Sequence, residues 1–331
     1  MARLDTQPAN LSRQARMVDL IDRLAPSEGY TQSLLDGVTL MRSNRSLART
    51  PALYEPSIVI VAQGRKRGFH GGQAYVYDAQ HYLVLAVPLP FEIETEASPE
   101  EPMLGIALRI DPSMTAELAL AVDESQPYES QPYVNRPNPT ARPRTLYATP
   151  VDERIGDATV RLLEALSNPA ETKLLAPAIV RELSFRVLTG EQGGSLRAAL
   201  TQGGHFGRIA KALRRIHNQY DRELDVATLA GEANMSVPAF HAHFKAVTAT
   251  SPIQYIKAMR LHQARLLMIR SGLTAATASE RVGYESASQF SREFKRLFGR
   301  SPVEEARHLK DVLNLAPPVR HAAVEARMLA S

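Results

Sequence analysis

A chain of 331 residues with 44% hydrophobic and 22% charged residues has material for two cores, and this ordinary composition argues against wholesale disorder. The absence of cysteine excludes structural disulfides, thiolate-ligated metal centres, thiol nucleophiles and thiol-based redox sensing. The net charge of +4 is unevenly spread: residues 205–310 carry 17 Lys/Arg against 9 Asp/Glu, which leaves 22 against 26 elsewhere. That asymmetry points to polyanion contact by the C-terminal part alone, against the blander reading of a solvated basic face.

The opening MARLDTQPANLSRQ has no apolar signal-like core, and no apolar run reaches about 18 residues. A soluble, cytoplasmic protein without a membrane partner is expected. The first element is a short amphipathic helix in ARMVDLIDRLA, with Met17, Leu20, Ile21 and Leu24 on one side. From Tyr54 the texture becomes strand-like. The segments 57–62, 73–78, 81–87, 91–96 and 103–110 are short, rich in β-branched and aromatic residues, and separated by Gly and Pro signals. His70-Gly71-Gly72-Gln73 reads as a hairpin turn in which the glycines supply positive φ. Strands at this spacing without intervening helices predict an antiparallel barrel or sandwich, with a mouth suited to a small ligand.

Pro127, Pro132, Pro137, Pro139 and Pro143 then mark a long surface excursion. Two helices follow, one with Ile155, Val160, Leu163 and Leu166 on its apolar side, the other with Leu175, Ile179, Leu183 and Val187. They either cover the barrel or form the seam of a homodimer. Gly190, Gly193, Gly194, Gly203 and Gly204 mark the domain boundary, giving domains at 1–195 and 205–310 and a weakly ordered tail at 311–331.

Within 205–310, Ile209, Leu213, Ile216 and Tyr220 form the stripe of an opening helix. A helix-turn-helix pattern then occurs at about 224–248 and returns at about 274–298. Ser236 and Ser286 are N-caps, Phe240 matches Phe290, Phe244 matches Phe294, Lys245 matches Lys295, and Ser251-Pro252 matches Ser301-Pro302. A coincidental aromatic pair need not bring a cap and a Ser-Pro with it. Between the copies, SPIQYIKAMRLHQARLLMIRSG predicts one linker helix of roughly 18 residues, about 27 Å, against about 34 Å between successive major-groove faces of B-DNA.

The segments MSVPAFHAHFKAVTATSPIQYIKAMRLHQAR and VGYESASQFSREFKRLFGRSP resemble the DNA-binding domain of the AraC/XylS family of transcription regulators. YEPSIVIVAQGRKRGFHGGQAYVYDAQHYLVL resembles the AraC-type, cupin-like effector domain found ahead of it. The resemblance implies a two-domain α+β protein. A cupin-like antiparallel β-barrel with covering helices would precede an all-α double helix-turn-helix of homeodomain-like repeats, joined by a long linker helix. It implies a sequence-specific transcription regulator, not an enzyme, that binds double-stranded DNA, answers to a small-molecule effector, forms a homodimer and needs no cofactor; RNA polymerase is a further candidate partner.

Family recognition helices imply base contacts from His241 on the first helix and from Ser288, Gln289, Ser291 and Arg292 on the second. Gln suits adenine and Arg suits guanine in the major groove. Val237, Pro238 and Ala242 offer the first helix no further polar reader, and Ala278-Ser279 is a small pair in the opening helix of the second copy. Lys245, Lys257, Arg260, Lys295 and Arg296 are candidate phosphate contacts, the alternative for each being a solvated face. Gln63, His81, Glu92 and Glu94 are candidates to orient an effector if they point inward; Glu92 and Glu94 equally suit the solvent side of an alternating strand. The competing readings are a cupin-type metalloenzyme tethered to DNA and a constitutive DNA-binding protein whose barrel only dimerises. The first lacks an H-x-H pair in the barrel, where His70 and His81 stand eleven apart, while His243 and His262 read as surface or structural residues.

Overall fold

The computed structural model describes residues 8–125, 143–200 and 204–312. Pro127, Pro132, Pro137 and Pro139, and the tail beyond 312, lie outside the described residues. Packing separates the chain into two compact units. One runs to Gln219 and includes Leu224–Ile256; the other comprises Tyr220–Glu223 and the chain from Lys257. The division falls inside a helix, and Gly193 and Gly194 open another helix over 193–200.

The first unit is built on ten strands: β1 (Gly29–Gln32), β2 (Val38–Ser43), β3 (Leu47–Tyr54), β4 (Ser57–Gln63), β5 (Arg65–His70), β6 (Gln73–Asp78), β7 (His81–Leu85), β8 (Leu89–Glu96), β9 (Met103–Arg109) and β10 (Leu146–Pro150). The sheet order is β1-β2-β9-β4-β7-β6-β5-β8-β3, with β10 also on β7, and all pairings are antiparallel. Tyr30 on β1 and Tyr54 on β3 stand at opposite ends of that order, yet their hydroxyls approach each other. The sheet therefore curls into a half-barrel. β8 alternates buried and partly exposed residues, the pattern of a strand with one face on the core. β4 is buried on both faces except at its end.

The β5–β6 hairpin closes at His70↔Gln73, with Gly71 at φ 57° and Gly72 at φ 79°. Two successive positive φ values define the tight primed turn that a side chain resists, as the Gly-Gly pair requires. The half-barrel interior gathers Met41, Val61, Leu83, Phe91, Ile93 and Met103 among its buried residues. Helices α1 (Pro8–Leu24), α2 (Pro112–Ser125), α3 (Glu153–Leu166), α4 (Pro169–Leu174), α5 (Ala176–Thr189) and α6 (Gly193–Leu200) accompany the sheet. Met17, Leu20 and Ile21 of α1 are buried, and Gln14 donates to the Ala62 carbonyl at 3.1 Å. On α5 the buried face is Ala176, Leu183, Val187 and Leu188; Leu175 is instead exposed at its N-terminus.

The same unit contains α7 (His205–Asn218), α8 (Val226–Glu232), α9 (Val237–Thr248) and the beginning of α10 (Pro252–Arg270). Tyr255 is fully buried there, its hydroxyl donating to the Pro88 carbonyl of the sheet region at 2.7 Å. The second unit comprises the remainder of α10 with α11 (Ala275–Arg281), α12 (Ala287–Phe298) and α13 (Pro302–Val312). Its core joins Leu261, Ala264, Met268, Ala278, Val282, Tyr284, Phe290, Phe294 and Phe298. Among the described residues no helix is long and apolar enough to cross a membrane.

Candidate nucleic-acid interface

Each copy of the repeat is a short helix, a turn and a capped second helix. In the first, the Asp225 side chain accepts the Thr228 N–H to cap α8, and Ser236 accepts the Ala239 N–H to cap α9. In the second, Thr274 accepts from Thr277 and Ser286 from Gln289. These caps satisfy amides that a helix start leaves without carbonyl partners. The caps of the second helices are fifty residues apart, but those of the first helices, Asp225 and Thr274, are forty-nine apart. The turn of the second copy is thus one residue longer. Its positive-φ residue is Gly283 at φ 79°, where the first copy uses Asn234 at φ 49°. A Cβ on Gly283 would come 2.8 Å from the Asp221 carbonyl oxygen, so this turn demands glycine twice over.

Phe240 and Phe244 on α9, and Phe290 and Phe294 on α12, are all buried, with ring centroids 5.4 Å apart in each pair. Fixing that stripe inward turns the remaining positions out. Val237, Pro238, His241, Ala242 and Lys245 are exposed on α9; Ser288, Gln289, Ser291, Arg292, Lys295 and Arg296 are exposed on α12. Among the described residues no hydrogen bond or ion pair occupies the side chains of Arg292, Lys295 or Arg296. Ala278 and Ser279 are buried, as are Leu229 and Ala230 in the first copy.

The remaining sequence candidates are engaged within the fold. Lys257 donates to Glu293 at 2.6 Å. Arg260 donates to the carbonyls of Tyr220, Arg222 and Gly283 at 2.8, 2.8 and 3.0 Å, tying segment 220–223 and the turn before α12 onto α10. Glu293 is the centre that the sequence reading passed over. It accepts from Lys257, from the Tyr284 hydroxyl at 2.7 Å and from the Gln289 amide at 3.2 Å. Burial alone would raise its carboxyl, but those three hydrogen bonds outweigh burial and hold it below the ordinary value. Burial, and then the Glu293 carboxylate itself, push the Tyr284 phenol up. The available signal was the four-residue spacing of Gln289 and Glu293 beneath an exposed reading face.

His243 occupies the matching place in the first copy, stacked on His205 with centroids 3.9 Å apart. His262 is buried against Phe298, and burial, aided by the neighbouring Arg265 charge, pushes its imidazole well down, so the ring is neutral. Among the described residues no three His, Asp or Glu side chains converge as a metal site.

The four candidates for the barrel are not drawn together. Glu92 and Glu94 occupy the partly exposed positions of β8 and pair with Arg49 and Arg67. His81 is paired with Asp78 at 3.4 Å, and Gln63 donates to the Pro102 carbonyl at 2.9 Å. The alternation of β8 buries Phe91 and Ile93 and turns the two glutamates outward, where arginines of the neighbouring strands pair with them.

Two capped helix-turn-helix motifs that follow a curled antiparallel sheet along the chain define the class: a helix-turn-helix protein carrying a half-barrel module. Residues 34–195 match the model of the AraC-type transcriptional regulator N-terminus, and residues 229–308 match that of a helix-turn-helix domain. The chain belongs to the AraC family of transcription regulators. It is similar to a putative AraC-like transcription regulator of Streptomyces lividans, 33% identical over 100 residues, covering 30% of this chain and 33% of that protein. It is also similar to the RCS-specific HTH-type transcriptional activator RclR of Escherichia coli (strain K12), 36% identical over 110 residues, covering 33% of this chain and 38% of that one. The match thus spans little more than a third of the length of these curated relatives. Among solved structures, unsaturated fatty acid-bound wild-type ToxT from Vibrio cholerae strain SCE256 has the same fold, with a TM-score of 0.59 at 15% identity, covering 88% of this chain and 99% of that one.

Proposed function

We propose that this protein is a sequence-specific regulator of transcription that binds double-stranded DNA through α9 and α12 and takes a small-molecule effector in its half-barrel. The observation that carries the reading is α12. Its aromatic stripe is buried, while Ser288, Gln289, Ser291 and Arg292 are exposed along its first turns, on the helix surface that a major groove reads. Arg292 is the base reader with the strongest chemistry, since its guanidinium matches guanine O6 and N7. His241 is the polar reader of α9, which adds apolar contact from Pro238 and Ala242 and so discriminates less.

Lys245, Lys295 and Arg296 serve phosphates. Lys257 and Arg260, occupied inside the module, contribute by holding it together. The functional modules are those of the sequence, 1–195 and 205–310. Arg292→Ala should relax preference at one base pair and cost about 1–3 kcal/mol at the preferred site. Undiminished discrimination by that variant removes Arg292 from the reading set.

The effector reading draws support from ToxT, described as bound to an unsaturated fatty acid, and from the AraC-type match over the half-barrel. One matched family model describes the N-terminus of AraC-type transcriptional regulators and the other a helix-turn-helix domain, a pairing that favours a regulator over an enzyme. A homodimer through the surface of α4 and α5, where Leu174 and Leu175 are exposed, completes the proposal. Sedimentation of the full chain against Leu174→Glu tests it. RNA polymerase is the partner expected if the operator adjoins a promoter.

A further inference from the structure

Among the described residues, the buried Lys66 of the half-barrel has no counter-charge. Lys66 is 3% exposed. Its neighbours Arg65 and Arg67 point outward and pair with Asp78, Glu94 and Glu96, so the strand's alternation sends only Lys66 inward. On the inner face it stands directly between Tyr77 of β6 and Thr95 of β8. Those two side chains are 0% and 1% exposed. The Tyr54 hydroxyl lies close to that of Tyr77, but neither these two nor the Thr95 hydroxyl makes a well-formed hydrogen bond among the described residues.

The titratable group that acts on Lys66 is the Tyr30 phenol, and burial pushes the ammonium down from its ordinary value. No carboxylate among the described residues pairs with it. An uncompensated buried ammonium beside unsatisfied hydroxyls is costly, and a single anion placed there would accept from all of them. The walls around this polar row are apolar: Val61, Phe91, Ile93 and Met103 belong to the same interior.

We propose that the half-barrel recognises a small organic monocarboxylate, whose carboxylate is received by Lys66, Tyr77 and Thr95 and whose apolar body lies against Phe91 and Ile93. This rests on the effector reading above and narrows it from any small molecule to an anionic class. Lys66 fixes the charge of the ligand, and the hydroxyls fix the orientation of its two oxygens. A neutral amide of equal shape would leave the ammonium uncompensated.

The test uses the full-length protein and two readouts, the thermal midpoint and calorimetric titration. The probes are hexanoate, octanoate, benzoate and 4-hydroxybenzoate, each paired with its primary amide, with sodium phosphate as a simple-anion control. At least one carboxylate should raise the midpoint while its amide and phosphate do not. Lys66→Met should weaken that carboxylate at least about tenfold. Without any ligand it should raise the midpoint by a few degrees, because it removes a buried unpaired charge.

A lower midpoint for unliganded Lys66→Met would mean that the lysine already has an internal partner, and would overturn the proposal. So would a carboxylate response that survives the substitution. Amides acting as well as acids would remove the anionic class and leave the effector reading standing. Silence from acids and amides alike would count against both.

Discussion

Replacing Glu293 by alanine should destabilise the second unit more than any other single change on the outward side of α12. The substitution removes three hydrogen bonds at once, from Lys257, Tyr284 and Gln289. Tyr284 is only 8% exposed, so its hydroxyl is left without a partner, at a cost of about 1–3 kcal/mol. The Lys257 side chain is 32% exposed and regains water, so its share is at most about 1 kcal/mol. Gln289 is exposed and contributes little beyond that. The sum is about 1–4 kcal/mol.

The chain has no tryptophan, so far-ultraviolet circular dichroism during urea unfolding is the natural assay. A double-mutant cycle with Lys257→Met isolates the ion pair. The pH dependence supplies a second check. The Glu293 carboxyl lies below its ordinary value in the fold, so its contribution is fully present above the unfolded carboxylate value and is lost as pH falls through the folded one. The gap between wild type and Glu293→Ala should therefore narrow below about pH 4. A loss smaller than about 0.5 kcal/mol at neutral pH would refute the role of this carboxylate as the hub of the second motif.

Three further outcomes follow from the same geometry. Lys295→Gln and Arg296→Gln should weaken binding to all duplexes alike and each lower the slope of log affinity against log salt by about one, measured by fluorescence anisotropy across a salt series. Ser286→Ala removes the N-cap of α12 and should cost about 1 kcal/mol in urea unfolding, whereas Ser286→Asp should retain most of the stability. Tyr255→Phe leaves the Pro88 carbonyl without its buried donor and should cost about 1–2 kcal/mol; equal stability of the two proteins would show that water replaces the hydroxyl.

Much of the C-terminal architecture was legible because helix-turn-helix information is local. A capping serine, two phenylalanines four apart and a Ser-Pro restart each act within a few residues of themselves, so their recurrence could be read directly. The one-residue difference in the turns escaped because Asn234 and Gly283 supply the same backbone conformation from different side chains. The five strands from 57 to 110 and the Gly71-Gly72 hairpin were equally local. The strands β1, β2, β3, β5 and β10 were not: β3 carries Pro51 and β5 opens on a run of cations, neither of which reads as a strand.

What sequence could not supply was the company each side chain keeps. The sheet order places β9 between β2 and β4, and β5 between β6 and β8, pairings decided by tertiary packing. Hence Glu92 and Glu94 meet arginines on the outer face, while Lys66, one cation in a run of three, is the one turned into the core. Glu293 was hidden for the same reason. Its importance comes from Lys257 and Tyr284, thirty-six and nine residues away.

DNA recognition is the central claim, and selection of bound duplexes from a random library by the full-length protein tests it with no operator sequence supplied. Selection should enrich two short boxes about one helical turn apart, one strongly specified and one weakly, with Arg292→Ala losing a guanine preference in the stronger box alone. Enrichment of no sequence over the starting library, or one motif unchanged by Arg292→Ala, would contradict it.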